Sequence, residues 1–170
     1  MTIVVVEGSD GAGKTTLIER AREGQRERYF LTVRASRYPP DVKTALQYLN
    51  WIKHQRDLDL ILDRIHFISD RVYGPVLRNE DLFQNFPLDF GLQDAAVIVY
   101  CRPPLELIQE NVAKNHQMKG VIENIDDLVA RYDHLMAAIK QKGKKVIKYD
   151  YTADEPGSFW RYVWGETKRK

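Results

Sequence analysis

A chain of 170 residues, 44% hydrophobic and 29% charged, is sized for one domain with a substantial core. Its net charge of +2 gives no electrostatic case for nucleic acid as a partner, and the single cysteine, Cys101, excludes an intrachain disulfide framework. No apolar run has the length of a membrane span and the N-terminus lacks a basic-then-apolar signal pattern, so a cytoplasmic protein with no membrane partner is expected.

Ile3 to Val6 reads as a buried strand. The chain then turns through Gly8-Ser9-Asp10-Gly11-Ala12-Gly13 and enters a helix, Lys14 to Glu23, with Leu17, Ile18 and Ala21 on one face. Gly8-x-x-x-x-Gly13-Lys14-Thr15 is the phosphate-binding P-loop pattern in its required strand–loop–helix setting. Its glycines let successive backbone N–H groups point into one hollow, and those donors with the helix N-terminus hold phosphate oxygens. Residues Gly8 to Thr16 are therefore the candidate nucleotide site. Lys14 reaches the outer phosphates, and the Thr15 hydroxyl is placed for Mg²⁺. Glu7 reads only as a strand-end polar residue.

Tyr29 to Val33 reads as the second strand, with Pro39-Pro40 closing the loop after it. A helix follows, carrying Val42, Ala45, Leu46, Leu49, Trp51 and Ile52. Leu58 to Leu62 is a strand that ends in Asp63. Ile65 to Leu77 is helical in part, interrupted at Gly74-Pro75. Asp81 to Phe90 has no clear period. Ala95 to Tyr100 is a buried strand, with Cys101 read as a buried strand-end residue rather than a nucleophile. Pro103-Pro104 opens a helix through Leu105, Ile108 and Val112, and the polar stretch at about 114–121 reads as a lid. The stripe Ile125, Leu128, Val129, Tyr132, Leu135, Met136 and Ile139 marks the clearest helix. Lys145 to Tyr149 is a strand, Gly157 to Gly165 a last helix, and Lys168-Arg169-Lys170 a solvated tail. No repeat or linker divides the chain, so a single domain over 1–170 is expected. Strands alternating with helices imply an α/β fold with a five-stranded parallel sheet covered on both faces. Its ligand site would lie at the C-terminal strand edges, where the P-loop and Asp63 meet.

Asp63-Arg64 at a strand end is the second informative feature. A carboxylate there can hold Mg²⁺ through water, and the adjacent guanidinium can grip a second phosphate with a planar fork. Together with Glu7-Gly8-Ser9-Asp10-Gly11-Ala12-Gly13-Lys14-Thr15-Thr16, the segment Asp63-Arg64 followed by Ser69 and Val72-Tyr73 resembles the thymidylate kinase family of nucleoside monophosphate kinases, and its small phage and bacterial deoxynucleotide kinases most. The resemblance implies the three-layer α/β/α fold of P-loop kinases, with ATP-dependent phosphorylation of a deoxynucleoside monophosphate, dTMP first among them. It assigns Asp10 to the acceptor sugar, Arg64 and Arg37 (with Arg34 as the alternative) to the acceptor phosphate, and Phe67 and Tyr73 to the acceptor base or sugar. Lys14, Asp63, Arg64 and Lys119 would carry catalysis, with Thr15 and Asp63 as the Mg²⁺ residues. It also implies a homodimer, and adenine near the loop Asp150 to Glu155.

Three departures accompany the likeness. Ser69 and Tyr73 each sit one residue later after Asp63-Arg64 than the family pattern has them. The lid stretch holds no arginine, which leaves Lys114 or Lys119 to supply its charge. The chain between the P-loop and Asp63 is short, consistent with a broad acceptor range. A deoxynucleoside kinase, with Asp63 as base toward a sugar hydroxyl, is the nearest rival. Asp10-Gly11 argues against it. A nucleotide switch would need an Asn-Lys-x-Asp motif, which the sequence lacks.

Overall fold

The computed structural model describes residues 2–23, 30–34, 41–55, 57–92, 95–154 and 158–164. The elements run β1 (Ile3–Glu7), α1 (Lys14–Glu23), β2 (Phe30–Arg34), α2 (Val42–His54), β3 (Asp59–Asp63), α3 (His66–Leu77), β4 (Ala95–Cys101), α4 (Leu105–Lys114), α5 (Ile125–Gln141), β5 (Val146–Tyr149) and α6 (Ser158–Trp164). The five strands form one all-parallel sheet in the order β2-β3-β1-β4-β5. β1 is central, and the chain leaves it toward β3 on one side and β4 on the other. The crevice beyond its C-terminal end is therefore the switch point where α/β proteins bind ligands.

Strand alternation divides the core in two. Val4 and Val6 face α1 and α6, packing with Leu17, Ile18, Phe159 and Val163. Ile3 and Val5 face the larger layer built by α2 to α5, with Leu49, Phe67, Val72, Leu128 and Tyr132. Glu7 shares the parity of Ile3 and Val5 and so points into this larger core, fully buried. Nothing in the β1 sequence offers it a partner, so its partners must come from elsewhere in the chain.

Two elements differ from their sequence reading. α3 continues unbroken through Gly74-Pro75 to Leu77. Pro75 is two residues from the helix end, so its missing donor costs one bond in a turn that the Arg78 and Glu80 N–H groups close onto the Gly74 carbonyl at 2.9 and 3.2 Å. A side chain at position 74 would collide with the Glu80 carbonyl, which is why glycine stands there. The strand read as ending at Val33 runs one residue further, to Arg34, which brings Arg34 into register with Asp63.

The aperiodic stretch from Asp81 to Phe90 is a series of turns tied to α3. The Arg71 guanidinium donates to the Phe83 and Phe86 carbonyls, both at 2.5 Å. The Asp70 carboxylate accepts from the Leu82 N–H at 2.9 Å and pairs with Arg78. Phe67, 2% exposed, lies within 4.3 to 5.8 Å of Phe83, Phe90 and Phe86, ring centre to ring centre. Its ring belongs to this aromatic core. Arg37, Pro39-Pro40, Tyr29, Gly157, Gly165 and the Lys168-Arg169-Lys170 tail lie outside the described residues. Among the described residues, no helix is long and apolar enough to cross a membrane.

Candidate active site

Gly8, Gly11 and Gly13 all have positive φ, at 147°, 75° and 83°. The need is plainest at Gly8, where a Cβ would stand 2.6 Å from the Cys101 carbonyl of β4. The loop is thus pressed against the neighbouring strand end, and α1 begins directly after it. Lys14 is 8% exposed, and its ammonium spans the loop to donate to the Gly8 and Ser9 carbonyls at 3.0 and 2.7 Å. Burial, then the nearby Arg64 charge, brings its pKa down to about 8, so it remains a cation at neutral pH. Cys101 is buried beneath the loop, and that burial pushes its thiol up to about 12, which makes it a packing residue and not a nucleophile.

The loop has support from outside the motif. On α4, the Asn111 amide donates to the Gly11 carbonyl at 2.9 Å and to the Tyr151 hydroxyl at 3.1 Å. The Tyr151 ring lies against Gly13, so close that a Cβ there would stand 2.9 Å from it. The stretch after β5, where the resemblance puts adenine, is thereby tied to the phosphate loop through α4.

Asp63 and Arg64 are neighbours in sequence but part company in space. Asp63 shares the parity of Ile61, on the α1 side of the sheet, and its Oδ2 accepts from Arg34 Nε at 2.7 Å. It pairs in register with Val6 of β1, two residues before Gly8, so the strand end and the P-loop do meet. Arg64 leaves the strand with φ of +70°, a backbone conformation that side chains other than glycine rarely adopt. Its Nη2 donates to Asp10 Oδ1 at 2.5 Å and to the Tyr73 hydroxyl at 3.3 Å, with the guanidinium carbon 5.0 Å from the centre of the Tyr73 ring. The Tyr73 hydroxyl in turn accepts from the Asp10 N–H at 3.0 Å. Both side-chain bonds of Arg64 come from Nη2. Among the described residues, Nη1 and Nε have no protein partner, and neither is a buried unpaired atom. Burial acts to raise the Asp10 pKa, but Arg64 and then Lys14 outweigh it and hold the carboxylate below its ordinary range.

Asp10, Lys14, Asp63, Arg64 and Tyr73 are therefore gathered around one sheet edge, with Gly8 to Thr16 as its floor. Lys114 and Lys119 lie outside that group. Lys114 is exposed and pairs with Glu110 at 3.5 Å, and Lys119 is exposed in the turn that follows α4. Thr15 is exposed in the first turn of α1. Sequence reasoning missed Asn111 and Tyr151, which carry no local signal, and passed over Glu7. The parity of Glu7 with two buried valine-type positions could have singled it out.

No family model matches the chain, and no curated protein matches it. Solved structures do. The YorR protein from Bacillus subtilis, in complex with phosphorylated GDP, is similar at a TM-score of 0.67 and 16% identity, over 89% of this chain and 87% of that one. Deoxyadenosine kinase from M. mycoides with the products dCMP and a flexible dCDP bound is similar at 0.58 and 15%, over 90% and 92%. The same enzyme with dATP bound is similar at 0.59 and 16%, over 91% and 93%. At these identities the likeness establishes the fold. This is the α/β architecture of P-loop kinases, with a five-stranded parallel sheet.

Proposed function

We propose that this protein transfers the γ-phosphoryl group of ATP to a deoxynucleoside monophosphate, with dTMP the first candidate. The observation that carries this reading is the placement of Arg64. Its guanidinium stands beside the P-loop with Nη1 and Nε unpartnered among the described residues, and a doubly charged phosphate is a natural partner for such cationic donors. The structural likeness to a deoxyadenosine kinase, which holds dCMP and dCDP, supports a deoxynucleotide acceptor.

In this reading the loop N–H groups and Lys14 hold the donor phosphates, and Arg64 holds the acceptor phosphate opposite. An ionised acceptor oxygen needs no strong base, so the chain's task is alignment and charge neutralisation. Asp10, locked to Arg64 and to the Tyr73 hydroxyl, would set the acceptor sugar against the clamp. A lysine of the exposed turn, Lys119 or Lys114, would add charge over the phosphates on closure. The Mg²⁺ that such transfer uses fits the residues present. It retains most of its waters and needs only one or two protein oxygens, which the exposed Thr15 hydroxyl and the Asp63 carboxylate offer. Bound there, it would neutralise charge on the transferring phosphoryl group.

A deoxynucleoside kinase is the second reading, favoured by the named activity of the same relative. It would use Asp63 as base, with Arg34 Nε hydrogen-bonded to that carboxylate. Incubation of the protein with Mg-ATP and a panel of nucleosides and nucleoside monophosphates separates the two. We expect diphosphate products from monophosphates and little product from nucleosides. Efficient conversion of a nucleoside would replace the first reading with the second.

A further inference from the structure

Glu7 is a fully buried carboxylate whose two oxygens are both engaged. Oε1 accepts from the Ile65 N–H at 2.7 Å, and Oε2 accepts from the Tyr132 hydroxyl of α5 at 3.1 Å. Ile65 immediately follows Arg64. The Arg64 N–H, on the other side of the same residue, donates to the Val6 carbonyl at 3.0 Å. The peptide groups before and after Arg64 are thus both fastened to the end of β1. Arg64 has φ of +70°, which a residue other than glycine holds only when its surroundings leave it no other choice. This conformation turns the guanidinium away from Asp63 and toward Asp10 and Tyr73. The far end of the clamp is equally rigid. Tyr132 is fully buried, stacked on Tyr100 at 6.0 Å and edge-on to Tyr73 at 6.1 Å.

From this geometry we infer that Glu7 is the positioning residue for Arg64: its bond to the Ile65 N–H holds the left-handed turn that aims the guanidinium at the acceptor phosphate. The inference rests on the reading of Arg64 given above. It makes the length of the residue 7 side chain decisive and its charge secondary. Glutamine has the right length and an oxygen to accept from Ile65, with an amide able to donate to Tyr132. Aspartate retains the charge but falls short by one methylene.

The test is steady-state kinetics on the purified full chain with Mg-ATP and the best monophosphate from the panel, for wild type, Glu7→Gln, Glu7→Asp and Glu7→Ala. We expect Glu7→Asp and Glu7→Ala to raise the acceptor KM by about tenfold or more with the ATP KM within about twofold, and Glu7→Gln to stay within about threefold of wild type. If Glu7→Ala does not fold, the contrast between Glu7→Gln and Glu7→Asp decides alone. Equal losses toward both substrates, or an Asp variant better than the Gln variant, overturn the inference and leave the function standing. A wild-type protein that phosphorylates no monophosphate overturns both.

Discussion

The two arms of the candidate site are built on opposite principles. The β1–α1 arm is a contiguous motif whose lysine is secured by carbonyls of its own loop. In the β3–α3 arm, Arg64 takes its backbone conformation from β1 and its side-chain partners from the P-loop and from α3. One arm survives as a local pattern. The other is a product of segments more than 50 positions apart meeting, and it should be the more easily detuned by changes far from the chemistry.

Lys14→Ala breaks the local arm most directly. Its turnover should fall on the order of 10²–10³-fold, the usual scale for removing a donor from developing transition-state charge. The circular dichroism spectrum should be unchanged, since Lys14 packs against its own loop. Near wild-type turnover in the folded variant would remove the phosphate site from consideration.

The tertiary arm has a signature in stability. Burial raises the Glu7 pKa from 4.5 to about 7, with Arg64 the first of the charges and bonds opposing it. The folded chain retains that proton up to about pH 7, while the unfolded chain releases it near 4.5. Stability should therefore fall as pH rises through this window, by on the order of 3 kcal/mol in all. Asp10, held low, titrates below the window, and Lys14, at about 8, titrates above it. Urea titrations at several pH values should show a steeper decline in wild type than in Glu7→Gln, where His66, lowered by burial, and Asp70, raised by burial, still contribute to the profile. A decline of equal size in both would assign it elsewhere.

Arg64→Ala should raise the acceptor KM about 10–100-fold, the scale of hydrogen bonds to a charged group, while moving the ATP KM little. Equal effects on both substrates would end the separation of the site into two arms. Asn111→Ala should do the reverse, raising the ATP KM by several-fold, since removing one neutral hydrogen-bonding group costs about 1 kcal/mol. The smallest effect is expected from Lys114→Ala/Lys119→Ala, a lowering of kcat by a few-fold with acceptor affinity retained, because exposed point charges contribute about 1 kcal/mol or less. An unchanged kcat would leave both as solvated surface lysines.

The order of strands and helices, the P-loop and the strand-end Asp63-Arg64 were all legible in the sequence. Each depends on neighbours a few residues apart: alternating burial for β1, helical spacing for α5, and a glycine pattern that shapes its own backbone. What the tertiary structure alone decided is how the charged groups pair. Adjacency suggested that Asp63 and Arg64 act together, yet Asp63 bonds Arg34 across the β2–β3 register while Arg64 bonds Asp10, 54 positions away. Phe67 is drawn into an aromatic core by turns that have no periodicity of their own and are held by Arg71 and Asp70. Glu7, unremarkable as a letter, sits where β1 alternation carries a carboxylate into an apolar layer. There it finds the Ile65 N–H and Tyr132, 58 and 125 residues further along the chain. A buried charge must be satisfied by whatever the fold brings to it, and that information is not written next to it in the chain.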